Sequence, residues 1–166
     1  MNIIVMRHGE AINQAPTDSS RPLSPYGEEQ SSQVGAWLAQ EDLCPTHVWV
    51  SPYLRTIQTW EKVQQAMESR IEATILETIT PNGSAQRVVQ SIYEFIDSLY
   101  KHTPPLSLDE VNLMIISHLP LVGYLVEELC PNEHSPIMFQ PANIAGIRLN
   151  NEGQGELLWH GGLIKE

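Results

Sequence analysis

The sequence predicts an α/β protein, a three-layer α/β/α sandwich around a mainly parallel sheet with an antiparallel edge. Short apolar runs alternate along the chain with stretches of helical periodicity, the pattern of strands joined by crossover helices. Two runs, Ile3-Ile4-Val5-Met6 and Leu113-Met114-Ile115-Ile116, are apolar at consecutive positions, as in strands covered on both faces. The end of the chain alternates around Asn151-Glu152-Gly153 and reads as a hairpin, which supplies the antiparallel edge. A length of 166 residues fits a single domain over 1–166 with a real core.

The first strand, residues 2–6, stops at Arg7-His8-Gly9-Glu10. In an open α/β sheet, ligands collect beyond the carboxyl ends of strands, and a glycine there lets backbone approach closely. This stretch alone reads either as a site or as a strand end with a surface cation. Residues 11–20 are polar and read as loop. Ser24 is a good N-cap with Pro25 at the first helical position. The helix that follows carries Val34, Trp37 and Leu38 on one face and ends before Cys44-Pro45. Arg21 stands just ahead of this helix, where a cation opposes the helix dipole unless an anion lies between them.

Residues 47–51 form the second strand, and Pro52 opens a helix to about Glu68 with Ile57, Trp60, Val63 and Met67 inward. Arg55 falls in its first turn, repeating the order strand, sharp turn, arginine; a first-turn arginine at a helix N-terminus suits phosphate. Residues 72–76 read as a third strand and 77–83 as a turn-rich connector. Gly83 or Ser84 opens a third helix, whose inner face is Val88 or Val89, Ile92, Phe95, Ile96 and Leu99. A fourth strand, residues 111–116, ends at Ser117-His118. The last helix, 121–130, turns Leu121, Val122, Leu125 and Leu129 inward and Glu127 and Glu128 outward. Residues 132–141 read as loop, and 143–149 with 155–160 as the hairpin. His102, His134 and His160 have no motif around them and read as surface.

Composition narrows the function. Net charge is −11, which argues against nucleic acid or an anionic membrane surface as partner. No apolar run approaches the roughly 20 residues that span a bilayer, and no secretory signal pattern opens the chain. The expectation is a cytoplasmic protein away from membranes. Asn82-Gly83-Ser84 then marks a turn, not a glycosylation site. Cys44 and Cys130 suggest neither a disulfide nor a metal site in that compartment. No phosphate-binding glycine loop, carboxylate cluster or G-x-S-x-G elbow is present, so no cofactor or metal is expected. Against this acidic background the six arginines are informative. Arg7, Arg21 and Arg55 all flank strand or helix ends, as do His8 and His118. Converging arginines can stabilise a transferring phosphoryl group without a metal, and a histidine among them can be the nucleophile.

Arg7-His8-Gly9-Glu10, Ser51-Pro52-Tyr53-Leu54-Arg55-Thr56-Ile57-Gln58-Thr59 and Ile116-Ser117-His118 together resemble the ordered motifs of the histidine phosphatase superfamily, the phosphoglycerate mutase-like proteins. Arg21-Pro22-Leu23-Ser24 and the run 115–126 are similar to its bacterial protein phosphohistidine phosphatases. The resemblance covers nearly the whole chain. It implies that His8 is the nucleophile, that Arg7, Arg21 and Arg55 hold phosphate, and that His118 completes the pocket. Many superfamily members carry an acidic leaving-group donor after the third strand, in segments reading roughly Leu-x-Glu-Leu-Thr-Pro. Here the segment is Leu76-Glu77-Thr78-Ile79-Thr80-Pro81. Glu77 is displaced by one position, which in an extended segment reverses the side chain's face.

The expected substrate is a phosphohistidine on a phosphotransfer protein of the HPt type, within two-component signalling, with inorganic phosphate as product. An imidazole leaving group, with a solution pKa of about 6.5, depends less on a strong acid than an alkoxide does. The connector 77–84 is also short, with no room for a large lid. Two alternatives accompany this reading: a phosphatase of small esters with Glu77 or Glu10 as acid, and a phosphohistidine-binding module without turnover. The residues leave open whether His118 acts as a cation or as a neutral donor.

Overall fold

A computed structural model of the chain describes residues 1–133 and 135–163. Its elements are β1 (Asn2–Arg7), α1 (Pro25–Gln40), β2 (His47–Val50), α2 (Leu54–Met67), β3 (Thr74–Ile75), α3 (Ala85–Lys101), β4 (Asn112–Ser117), α4 (Leu121–Leu129), β5 (Ile144–Leu149) and β6 (Gly155–Gly161). The sheet order is β3-β2-β4-β1-β5-β6. The first four of these run parallel, and β5 and β6 are antiparallel, which is the predicted antiparallel edge. No helix among the described residues is long and apolar enough to cross a membrane.

The consecutive apolar residues of β1 and β4 divide by parity, as side chains of a strand must. Ile3, Val5, Leu113 and Ile115 pack with Val88 and Ile92 of α3 and Leu121, Val122 and Leu125 of α4. Ile4, Met6, Met114 and Ile116 pack on the other face with Val34 and Leu38 of α1 and Trp60 and Val63 of α2. Two cores flank one sheet, and the three layers follow. Ser24 caps α1, its Oγ accepting from the Gly27 amide at 3.0 Å, and Ser84 caps α3.

Several local expectations need correction. The third strand is two residues long, not five; Thr74 and Ile75 are both exposed and pair with β2 alone. It is the edge strand, and short edges are one way sheets avoid pairing with other chains. The second helix begins at Leu54 instead of Pro52, because Ser51 Oγ accepts the Tyr53 amide and Tyr53 stays extended at the N-cap. The inner face of α3 is as expected: Val88, Ile92 and Leu99 are buried, and the half-buried Phe95 and Ile96 pack against the same core, Phe95 edge-on against His47 and Trp49. The loop after β1 contains a 3₁₀ turn at Asp18–Ser20. His102 and His160 are exposed as expected, and His134 lies outside the described residues.

Candidate active site

The parallel register brings three strand ends together. Arg7 stands opposite Ser117, and Val50 opposite Ile116, so His8, Ser51 and His118 leave the sheet at one level. The His8 backbone is pinned on both sides: its amide donates to Ser117 O and its carbonyl accepts from the Ala142 amide. Gly9 then passes close to α1. A Cβ on Gly9 would lie 2.5 Å from Gly27 O, and a Cβ on Gly27 would collide with Glu10 O. Both glycines are required by this approach.

The second motif is largely a set of ties to the loops around His8. Thr59 Oγ1 accepts from the Gly9 amide at 3.1 Å, Gln58 Oε1 accepts from the Leu23 amide, and Thr56 Oγ1 donates to Ser51 O. Arg55, only 4% exposed, donates from Nε to His8 Nε2 at 3.3 Å. His8 Nδ1 is 2.6 Å from Gly9 O. A carbonyl can only accept, so Nδ1 carries the ring proton; a guanidinium can only donate, so Nε2 carries the lone pair. Burial, and then the charges of Arg55, Arg7 and Arg21, hold the His8 pKa down at about 4, against the opposing effect of the Gly9 carbonyl. The imidazole is therefore neutral at pH 7, with its lone pair turned toward the cations.

Arg7 donates from Nη1 to Phe139 O at 2.9 Å, while its buried Nε has no hydrogen-bond partner among the described residues. Burial and the neighbouring Arg55 charge both push its pKa down, the signature of positive charges crowded together. His118 is buried, and its ring lies 5.3 Å from that of His8, centroid to centroid. Its Nε2 is hydrogen-bonded with Ser51 Oγ at 2.8 Å, and its Nδ1 has no hydrogen-bond partner among the described residues. Burial first, then His8 and Arg55, push its pKa down to about 2, so His118 is neutral. Arg7, His8, Arg55 and His118 thus form one cluster.

Arg21 joins the cluster through a residue that the sequence analysis did not single out. Asp18 accepts from Arg21 Nη1 at 3.0 Å through Oδ1 and from Arg55 Nη2 at 3.2 Å through Oδ2, and its carbonyl accepts from Arg55 Nη1 at 2.7 Å. Arg21 also donates to Ile12 O and Asn13 Oδ1. The anion that Arg21 meets is therefore the chain's own carboxylate, held acidic chiefly by Arg21. A signal existed in Asp18-Ser19-Ser20-Arg21, an acid and a base three apart in a polar turn.

Glu77 is exposed on the 3₁₀ turn Glu77–Ile79 and makes no hydrogen bond or ion pair with the cluster. The turn itself is tied to the site by Ser117 Oγ donating to Ile79 O at 2.7 Å. Glu10 is committed elsewhere, its Oε2 accepting from Ser24 Oγ at 2.6 Å. Among the described residues no three His, Cys, Asp or Glu side chains group as metal ligands. Three guanidiniums against one carboxylate, with two buried nitrogens that have no partner among the described residues, can accommodate a tetrahedral oxyanion.

Comparison with known proteins points to the same family. The family model of the histidine phosphatase superfamily (branch 1) matches residues 3–80. The chain is 36% identical to the phosphohistidine phosphatase SixA of Escherichia coli strain K12, over 96% of this chain and 92% of that one. It is 37% identical to a SixA homolog of Haemophilus influenzae, over 96% and 94%. A solved structure of the protein histidine phosphatase SixA complexed with tungstate matches with a TM-score of 0.86 at 35% identity, covering 98% of this chain and 97% of that one. With its motifs, its sheet order and its near full-length likeness to the SixA proteins, this chain belongs to the histidine phosphatase superfamily.

Proposed function

We propose that this protein is a phosphohistidine phosphatase that works through a covalent phospho-His8 intermediate. The observation that carries the reading is the state of His8: neutral, with Nδ1–H fixed on Gly9 O and the Nε2 lone pair facing Arg55. In the first step Nε2 attacks phosphorus, and the P–N bond to the substrate histidine breaks. The leaving imidazole keeps the electron pair of that bond. If its other nitrogen is protonated beforehand, it departs neutral. In the second step water attacks phospho-His8, releasing inorganic phosphate and restoring the imidazole. Arg7, Arg21 and Arg55 balance the phosphoryl charge throughout, and His118 supplies the remaining contact. His8 must be unprotonated to attack, and its depressed pKa meets that need at neutral pH.

The likeness to proteins named phosphohistidine phosphatase supports this substrate class. So does the lack of a hydrogen bond or ion pair from Glu10 or Glu77 to the cluster, because an alkoxide leaving group depends on a strong acid more than an imidazole does. The substrate in this reading is a histidine of an HPt-type phosphotransfer domain of two-component signalling, encountered in the cytoplasm. Leu119, directly after His118, and Tyr124 on α4 are exposed, apolar surface suited to a docked protein. The single-domain organisation over 1–166 and the roles of the individual residues belong to the same proposal.

The test uses a phosphodomain labelled on histidine. Wild-type protein releases inorganic phosphate and, on rapid acid-free quenching, carries an acid-labile label that His8→Ala does not. Faster hydrolysis of sugar phosphates than of the phosphodomain would sink the substrate assignment, and label persisting on His8→Ala would sink the intermediate.

A further inference from the structure

The hydrogen bonds of Ser51 assign it a part in the site beyond the proposed phosphatase chemistry, on which that assignment rests. Ser51 follows β2, is fully buried, and its Oγ has two hydrogen-bond partners among the described residues. The Tyr53 amide donates to it at 3.3 Å, and His118 Nε2 lies 2.8 Å away. A hydroxyl has one proton to place. The Tyr53 amide is itself a donor, so the acceptor available to that proton is His118 Nε2. If Nε2 carried hydrogen instead, the Ser51 proton would be buried without an acceptor and the Nδ1 lone pair buried without a donor. With Ser51 donating, the unpaired group left is the Nδ1–H of His118, a buried donor with no partner among the described residues. Buried polar groups left unpaired are costly, so the arrangement with a single orphan, which a phosphoryl oxygen can accept, prevails.

We propose that Ser51 is a positioning residue that locks His118 as the neutral Nδ1–H tautomer and so makes it a hydrogen-bond donor to the phosphoryl group. The two histidines then share a tautomer but serve opposite ends of it. His8 spends Nδ1–H on Gly9 O and presents the Nε2 lone pair to phosphorus. His118 has its Nε2 lone pair occupied by Ser51 and keeps Nδ1–H for a phosphoryl oxygen. Neither ring changes its proton count on meeting the substrate. This also answers the question of charge: His118 acts as a neutral donor, and the three arginines remain the cations of the site.

The experiment reads the tautomer directly. Protein labelled with ¹⁵N at histidine is examined by ring nitrogen–proton correlation at neutral pH, with and without inorganic phosphate. The expected result is a protonated Nδ1 and a bare Nε2 on His118, with the Nδ1–H signal shifting when phosphate is added. Ser51→Ala loses the tautomer preference and lowers kcat on the phosphodomain by about 10- to 100-fold, below the 10²–10³ cost of deleting such a donor outright. KM changes little, and Ser51→Thr, which keeps the hydroxyl, restores the Nδ1–H signal and most of kcat. Protonation of wild-type His118 at Nε2, or at both nitrogens, overturns the proposal. So does a Ser51→Ala protein whose His118 remains wholly Nδ1–H. The wild-type spectrum decides even if the variants fail to fold. The correct tautomer in a protein that hydrolyses no phosphohistidine supports the assignment of Ser51 while overturning the phosphatase reading.

Discussion

Neutralising two buried histidines makes the fold sensitive to mild acid. Both His8 and His118 have pKa values held below the ordinary value of 6.5, at about 4 and about 2. Between those values and 6.5 the unfolded chain binds protons that the native state refuses. Stability is therefore complete above about pH 6.5 and declines as pH falls toward the folded pKa values. Each pH unit below 6.5 costs about 1.4 kcal/mol per histidine until its folded pKa is reached. At about pH 5 that is roughly 2 kcal/mol for each ring, or about 4 kcal/mol together, a large part of the ~5–15 kcal/mol that stabilises a typical domain. The assay is urea unfolding followed by tryptophan fluorescence at about pH 7 and about pH 5, on wild type, His8→Asn and His118→Asn. Carboxylate titration is common to all three and cancels in the comparison. Each variant should lose about 2 kcal/mol less than wild type on acidification. Equal losses in the three proteins would refute the linkage, and with it the claim that these imidazoles are buried neutral.

Two glycines should respond in opposite directions to alanine. Gly27→Ala drives a Cβ into Glu10 O and should cost about 1–3 kcal/mol by overpacking. Gly123→Ala on α4, where among the described residues no atom beyond its chain neighbours and the helix's own backbone lies within 4 Å of the added carbon, should gain up to about 1 kcal/mol from helix propensity; thermal unfolding of the pair checks both signs. Asp18→Asn removes the carboxylate charge shared by Arg21 and Arg55. Because that side chain is 55% exposed, stability should fall by less than about 1 kcal/mol, while inorganic phosphate inhibits more strongly. Weaker inhibition in a titration of phosphate against turnover counts against Asp18 as a competing anion. Thr59→Val leaves the Gly9 amide without its acceptor and should destabilise by about 1–3 kcal/mol, with kcat falling as the His8 loop loosens; an unchanged unfolding midpoint would contradict it.

Much of this architecture is local chemistry and is legible in the chain. The parity of Ile3-Ile4-Val5-Met6, the Ser24 and Ser84 caps and the Asn151-Glu152-Gly153 turn depend on neighbours within a few positions, so periodicity and turn chemistry reveal them. Arg7, His8, Arg55 and His118 were legible for a related reason: each stands at a strand or helix end, and in a parallel sheet those ends converge. What the sequence could not supply was partnership across distance. Asp18 reaches Arg55 across 37 positions, Arg55 reaches His8 across 47, and Ser51 reaches His118 across 67. Exposure at the sheet edge shortened β3, and the turn at residues 77–79 left Glu77 in solvent. Propensity chooses the elements. Which nitrogen holds a proton and which cation meets an anion depend on burial and hydrogen-bond partners that exist only once the sheet and its crossings have formed.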